Sequence, residues 1–134
     1  MAKIGSIEGI GPSLSEKFSQ AGINTCEKLL EKGSTKNGRS ELETATGIAG
    51  AQVLKFVNHA DLMRIKGVGG EYAELLERAG VDTVPELAQR NAEKLTEKMV
   101  AINLEKNLVR STPSLKRVQD WIQQAKLLPG VVQY

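Results

Sequence analysis

The sequence predicts an all-α fold built from two tandem copies of one helical unit. Ile7 to Leu30 (IEGIGPSLSEKFSQAGINTCEKLL) realigns without a gap on Ile65 to Ala88 (IKGVGGEYAELLERAGVDTVPELA) at an offset of 58 residues. Eight of the 24 positions are identical, which marks an internal duplication. Apolar residues recur at helical spacing, as in Tyr72, Leu75, Leu76 and Ala79 or in Leu115, Val118, Ile122 and Ala125, and no strand-like alternation competes with them. Stop signals agree between the copies, because Gly22 and Gly80 stand where a helix would end in the left-handed conformation.

Taken in order, the helices are expected near 12–21, 25–32, 40–46 and 50–64 in the first copy, and near 70–79, 83–90, 92–103 and 113–128 in the second. Pro12 suits the first turn of the first of these. Ser40-Glu41-Leu42-Glu43 and Thr83-Val84-Pro85-Glu86 read as capping boxes, and Thr112-Pro113 places an N-cap before a first-turn proline. Lys32 to Arg39 reads as a polar, glycine-containing loop. An offset of 65 lays Val53–Leu62 on Val118–Leu127 and matches Phe56 with Trp121, Val57 with Ile122 and Ala60 with Ala125, so seven extra residues fall between about 90 and 113. The irregular stretch Asn103 to Ser111 is where they are expected. The divisions are then residues 1–64, residues 65–128 and a tail, 129–134, that reads as extended, with Val131, Val132 and Tyr134 available to dock. A unit of about 60 residues is near the lower limit for burying a core alone, so the halves are expected to pack as one compact domain.

Composition excludes several classes. No apolar run among the 134 residues is long enough to span a bilayer, and the start MAKIGSIEG lacks the order of a signal peptide, so the chain reads as cytoplasmic. The single cysteine, Cys26, aligns with Val84 and reads as a small core side chain. His59, the one histidine, aligns with Gln124 and reads as an exposed helical residue rather than a catalytic base. No second histidine or cysteine completes a metal set, and the serines and threonines fall at caps with no triad partner, so no enzyme is expected. Phe56 and Trp121 read as core. The net charge of +2 is unevenly spread: Ile65 to Glu93 carries three basic and six acidic residues, Lys94 to Lys126 seven and three.

The hairpins are where chemistry is expected. A turn of the form h-x-G-h-G needs backbone conformations that glycine adopts readily, and it leaves amide N–H groups pointing outward at the start of the next helix. Such a place suits an anion, since the amides and the positive end of the helix dipole hold a phosphate oxygen without a catalytic side chain. Backbone contacts of this kind touch sugar-phosphate and read no sequence.

Ile7-Glu8-Gly9-Ile10-Gly11-Pro12 and Leu62-Met63-Arg64-Ile65-Lys66-Gly67-Val68-Gly69 resemble helix-hairpin-helix motifs, and the Ala-Gly-Ile/Val-x-Thr-x-x-x-Leu element after each resembles the paired form in recombinases and DNA-repair proteins. From about residue 4 to 128 the chain resembles a bacterial domain family of unknown function built from tandem helix-hairpin-helix units. The resemblance implies a SAM-domain-like helical fold in which Thr46-Gly47-Ile48-Ala49-Gly50 and Ser111-Thr112-Pro113-Ser114 are degenerate second elements. It also implies a phosphate-contacting loop of Gly9, Ile10, Gly11 and Ser13 in the first copy and Gly67, Val68, Gly69, Gly70 and Glu71 in the second. A monovalent cation at hairpin carbonyls is a further implication; no other cofactor is. Two departures stand out: Pro12-Ser13 and Gly70-Glu71 occupy the place where DNA-binding members carry a lysine. Only six residues precede Ile7, so the first hairpin's leading helix is expected to be short or absent.

The function expected is a non-catalytic, sequence-nonspecific nucleic-acid-binding module. Lys17 with Ser13 and Lys3, and Lys66 with Arg64, supply charge, while Glu71, Glu74 and Glu77 form an opposing acidic face. The alternative is a protein-interaction or scaffold module on the same fold, docking through Met99, Val100, Ile102, Val131 and Val132.

Overall fold

Helix ends in the computed structural model, which describes residues 2–134, follow the glycine and capping chemistry of the chain closely in some places and depart from it in others. The described residues form eight α-helices and no strand: α1 Pro12–Gln20, α2 Cys26–Gly33, α3 Lys36–Thr46, α4 Gly50–Leu62, α5 Gly70–Arg78, α6 Val84–Ala88, α7 Ala92–Lys106 and α8 Leu115–Leu127, with a 3-10 turn at Ile4–Ser6. They divide into two compact units, one running to Asp61 and taking back Val131–Tyr134, the other Leu62–Gly130.

In the first unit Ala2 to Ile4 are bonded to Asn24 and to Cys26, the first residue of α2. Ile4 N–H donates to Asn24 O (3.0 Å), Cys26 N–H to Ala2 O (3.0 Å), and the Cys26 thiol to Lys3 O (3.4 Å). Phe18 of α1 meets Phe56 of α4 edge-on, with centroids 6.2 Å apart, inside a core that includes Ile7, Ile10, Leu29, Leu42 and Val57. Gly33 is the residue over which the Val57 side chain closes, with no room for a Cβ. The tail also belongs to this unit: Gln133 N–H donates to Ser34 O (2.7 Å), Arg39 Nη2 donates to Gln133 O (2.6 Å), and Tyr134 hydroxyl donates to Asn58 Oδ1 (3.3 Å). Arg39, which also donates to Gly33 O (2.8 Å), is buried as the hub of these bonds.

In the second unit α6 and α7 pack on α8, and α5 on α7, around Leu76, Leu87, Leu95, Met99, Val118 and Trp121. Arg64 is half-buried and donates to Pro129 O (2.9 Å), which turns it away from the role of a free surface charge. Glu74 is buried and accepts from Arg78 Nε (3.1 Å), so it does not contribute to an exposed acidic face.

Several boundaries correct the sequence reading. The stretch 32–39 is not an irregular loop, because Thr35 caps a helix that begins at Lys36, its hydroxyl accepting from Gly38 N–H (3.0 Å). Gly38 lies inside that helix and lets it meet the Lys32 carbonyl, which a Cβ would strike. Ser40 therefore sits in mid-helix, and Glu43 reaches forward to accept from Gly50 N–H (3.1 Å). Ser114, not Thr112, caps α8, accepting from Arg117 N–H (3.2 Å). Thr83 makes no side-chain cap; Glu86 instead accepts from Asp82 N–H (3.0 Å).

The added length of the second half is divided between a longer helix and a longer connection. α7 has 15 residues against 11 in α3, and it ends at Asn107 in the left-handed conformation (φ 51°). The Asn103 carboxamide then gathers Leu108 and Val109, accepting both their N–H groups (2.8 and 2.9 Å). His59 is fully buried, as are its neighbours from Phe56 to Leu62, because α4 is covered on all sides there and has no solvent face for a polar residue. Met99 lies in the core of the second unit and is not available as a docking residue.

Candidate functional site

The two glycine hairpins adopt the same backbone at the offset of 58 residues. Gly9 and Gly67 have φ of 92° and 97°, and Gly22 and Gly80 have 84° and 92°. Gly11 and Gly69 are the N-caps of α1 and α5, at φ −87°, ψ −172° and φ −95°, ψ −170°. The hydrogen bonds repeat as well: Ile10 N–H to Ile7 O and Val68 N–H to Ile65 O are both 3.1 Å, and Ser15 N–H to Gly11 O and Ala73 N–H to Gly69 O are both 2.9 Å. The turns leading in also match, with Ile7 N–H to Ile4 O at 3.3 Å and Ile65 N–H to Leu62 O at 3.1 Å, although α4 precedes the second and only a 3-10 turn the first.

Within each hairpin the glycines divide by physical role. Gly9 and Gly67 hold positive φ, and each lies under an aromatic ring: a Cβ at Gly9 would stand 3.4 Å from Phe56 Cε1, and one at Gly67 3.0 Å from Trp121 Nε1. Both are glycine because the turn and the packing require it. Gly11 and Gly69 are different. Their φ and ψ are open to any residue, and a Cβ at either would meet nothing within 4 Å.

The hydrophobic members of the loops are anchors. Ile10 and Val68 are buried and their N–H groups close the turns. The amides left over are those of Gly11, Ser13 and Leu14 in the first hairpin and of Gly69, Gly70, Glu71 and Tyr72 in the second; among the described residues nothing accepts from them, and neither helix has a side-chain cap. Pro12 removes one donor from the first hairpin. Ser13 and Lys17 are exposed on α1, with Lys17 toward the far end of the helix from the loop. Lys66 is exposed, and its main chain is clamped by the Gln124 carboxamide, which accepts from Lys66 N–H (2.9 Å) and donates to Lys66 O (3.1 Å).

Sequence reasoning missed Arg117. Its Nη2 lies 3.7 Å from where a Cβ on Gly67 would stand, and its guanidinium sits over the rings of Tyr72 (5.3 Å to the centroid) and Trp121 (5.8 Å). The only signal in the sequence is that Arg117 and Trp121 are one helical turn apart, which puts them on the same side of α8.

The family comparison spans both hairpins: the domain of unknown function DUF4332 matches residues 8–128. The chain belongs to that family. No curated protein and no solved structure matches it. The match takes in all eight helices and ends before the four tail residues that return to the first unit. No helix among the described residues is long and apolar enough to cross a membrane.

Proposed function

We propose that the chain is a tandem helix-hairpin-helix module that binds nucleic acid without sequence preference, its hairpin amides holding phosphates. The observation that carries this reading is the pair Gly11 and Gly69. Neither the backbone angles nor the packing of the fold accounts for glycine there, and the space above each is open. A bare main chain beside unengaged amides at a helix start is what a phosphate oxygen needs in order to approach closely. The burial of Glu74 supports the reading further, because it removes one carboxylate from the face next to the second loop.

Contacts of this kind neutralise few phosphates. With two to four of them, affinity should fall with salt at a log-log slope of roughly −2 to −4. Fluorescence anisotropy of labelled single- and double-stranded oligonucleotides between about 50 and 200 mM salt measures the slope. A slope near zero, or no binding at the lower salt, would turn the assignment toward a protein partner.

A further inference from the structure

We infer that Arg117 is a phosphate-contacting residue of the second hairpin, supplying from α8 the cation that the loop Gly67-Val68-Gly69-Gly70-Glu71 lacks. This rests on the nucleic-acid reading above and adds a side chain to it. Three features of Arg117 support the assignment. The first is position: its guanidinium borders Gly67, the residue that makes the turn. The second is orientation. Nη1 donates to Tyr72 hydroxyl (3.4 Å), that hydroxyl donates to Ser111 O (3.0 Å), and the rings of Tyr72 and Trp121 support the guanidinium plane. An arginine held in this way loses little further side-chain freedom when an anion arrives.

The third feature is charge. Arg117 is exposed, and among the described residues no carboxylate pairs with it. The flat fork of its guanidinium matches two oxygens of one phosphate. Lys66, exposed and next to Gly67 in the chain, adds a second positive charge to this hairpin, while Glu71 at the start of α5 and Asp120, which accepts from Gln124 Nε2 (3.0 Å), add negative charge. The first hairpin has no such device, since Gln52 stands in α4 at the register of Arg117.

The test is anisotropy titration of a labelled duplex oligonucleotide against the wild type, Arg117→Gln, Arg117→Lys and Gly69→Asp, at salt from about 50 to 200 mM. Loss of one charge-assisted contact should weaken Arg117→Gln about tenfold at the lowest salt. Its salt slope should become shallower by about 0.9, while Arg117→Lys keeps the slope. A shift of the Arg117 Nε resonance on adding the oligonucleotide reports the same contact in the unmutated chain. If Gly69→Asp weakens binding while Arg117→Gln keeps wild-type affinity and slope, the Arg117 assignment is wrong and the hairpin reading stands. If the wild type itself does not bind, both fall together.

Discussion

Substituting the four hairpin glycines one at a time should separate residues that serve the fold from residues that serve a ligand. Gly9→Ala and Gly67→Ala place a Cβ at φ near +92° and +97°, which costs about 1–2 kcal/mol. Reduced freedom of the unfolded chain returns about 0.4–1 kcal/mol of this. At Gly67 the new methyl also stands 3.0 Å from Trp121 Nε1, so the indole must shift. Net losses of about 1 kcal/mol at Gly9 and about 1–2 kcal/mol at Gly67 follow. Gly11→Asp and Gly69→Asp should do the opposite. They enter open space at ordinary angles, add a capping carboxylate at uncapped helix starts, and gain about 1 kcal/mol from capping, dipole and unfolded-state effects together. The same carboxylate occupies the amides and repels a phosphate, so nucleic-acid affinity should fall at least about tenfold. Urea unfolding read against anisotropy gives both numbers on each protein. Equal destabilisation by all four substitutions would mean that Gly11 and Gly69 are packing residues after all, and stabilisation without loss of binding would place the ligand elsewhere.

Other perturbations have equally definite outcomes. Arg39→Met leaves the carbonyls of Gly33 and Gln133 without a buried donor, and it should lower stability by about 2–3 kcal/mol in urea while speeding hydrogen exchange at the Gln133 amide. Burial, with the charge of Glu27 behind it, pushes the Cys26 thiol from 9.0 up to about 11. The folded chain therefore holds this proton where the unfolded chain releases it, so Cys26 should make stability fall as pH rises from 9 to 11, a fall absent from Cys26→Val. Glu71 lies in the first turn of α5, where its charge favours the helix but opposes a phosphate. Glu71→Gln should cost about 0.5 kcal/mol in a thermal melt and raise oligonucleotide affinity about threefold.

What the sequence disclosed was mostly what glycine discloses. Gly22 and Gly80 end α1 and α5 with positive φ as expected, because few other residues adopt that conformation. Trp121, Phe56 and Cys26 were legible as core from their matched places in the two copies. Gly38 misled because it reads as a breaker, whereas its purpose is close approach to the Lys32 carbonyl within a helix, a tertiary requirement. Thr35 was a capping residue in plain view, but the polar run around it masked the start of α3. His59 was misplaced for a related reason: from Phe56 to Leu62 α4 is buried on all sides and carries no solvent face for its period to reveal. Arg117 meets Gly67 only through the fold, fifty residues along the chain, and no spacing rule brings them together.

The two hairpins share one main chain and differ in what surrounds it. Phe56 covers Gly9 where Trp121 covers Gly67; His59 and Gln52 stand at the registers of Gln124 and Arg117. The turn tolerates these exchanges because positive φ at one glycine and a 3.1 Å turn bond define it, and neither depends on which ring lies above. A ligand held by amides inherits that tolerance, whereas one held by side chains would not. Two hairpins with one backbone and different electrostatics should therefore grip the same class of anion with unequal strength. The second has one donor more, since Pro12 removes an amide from the first, and it has Arg117 at its edge. Gly69→Asp should accordingly weaken binding more than Gly11→Asp, and the reverse order would assign the main contact to the hairpin of α1.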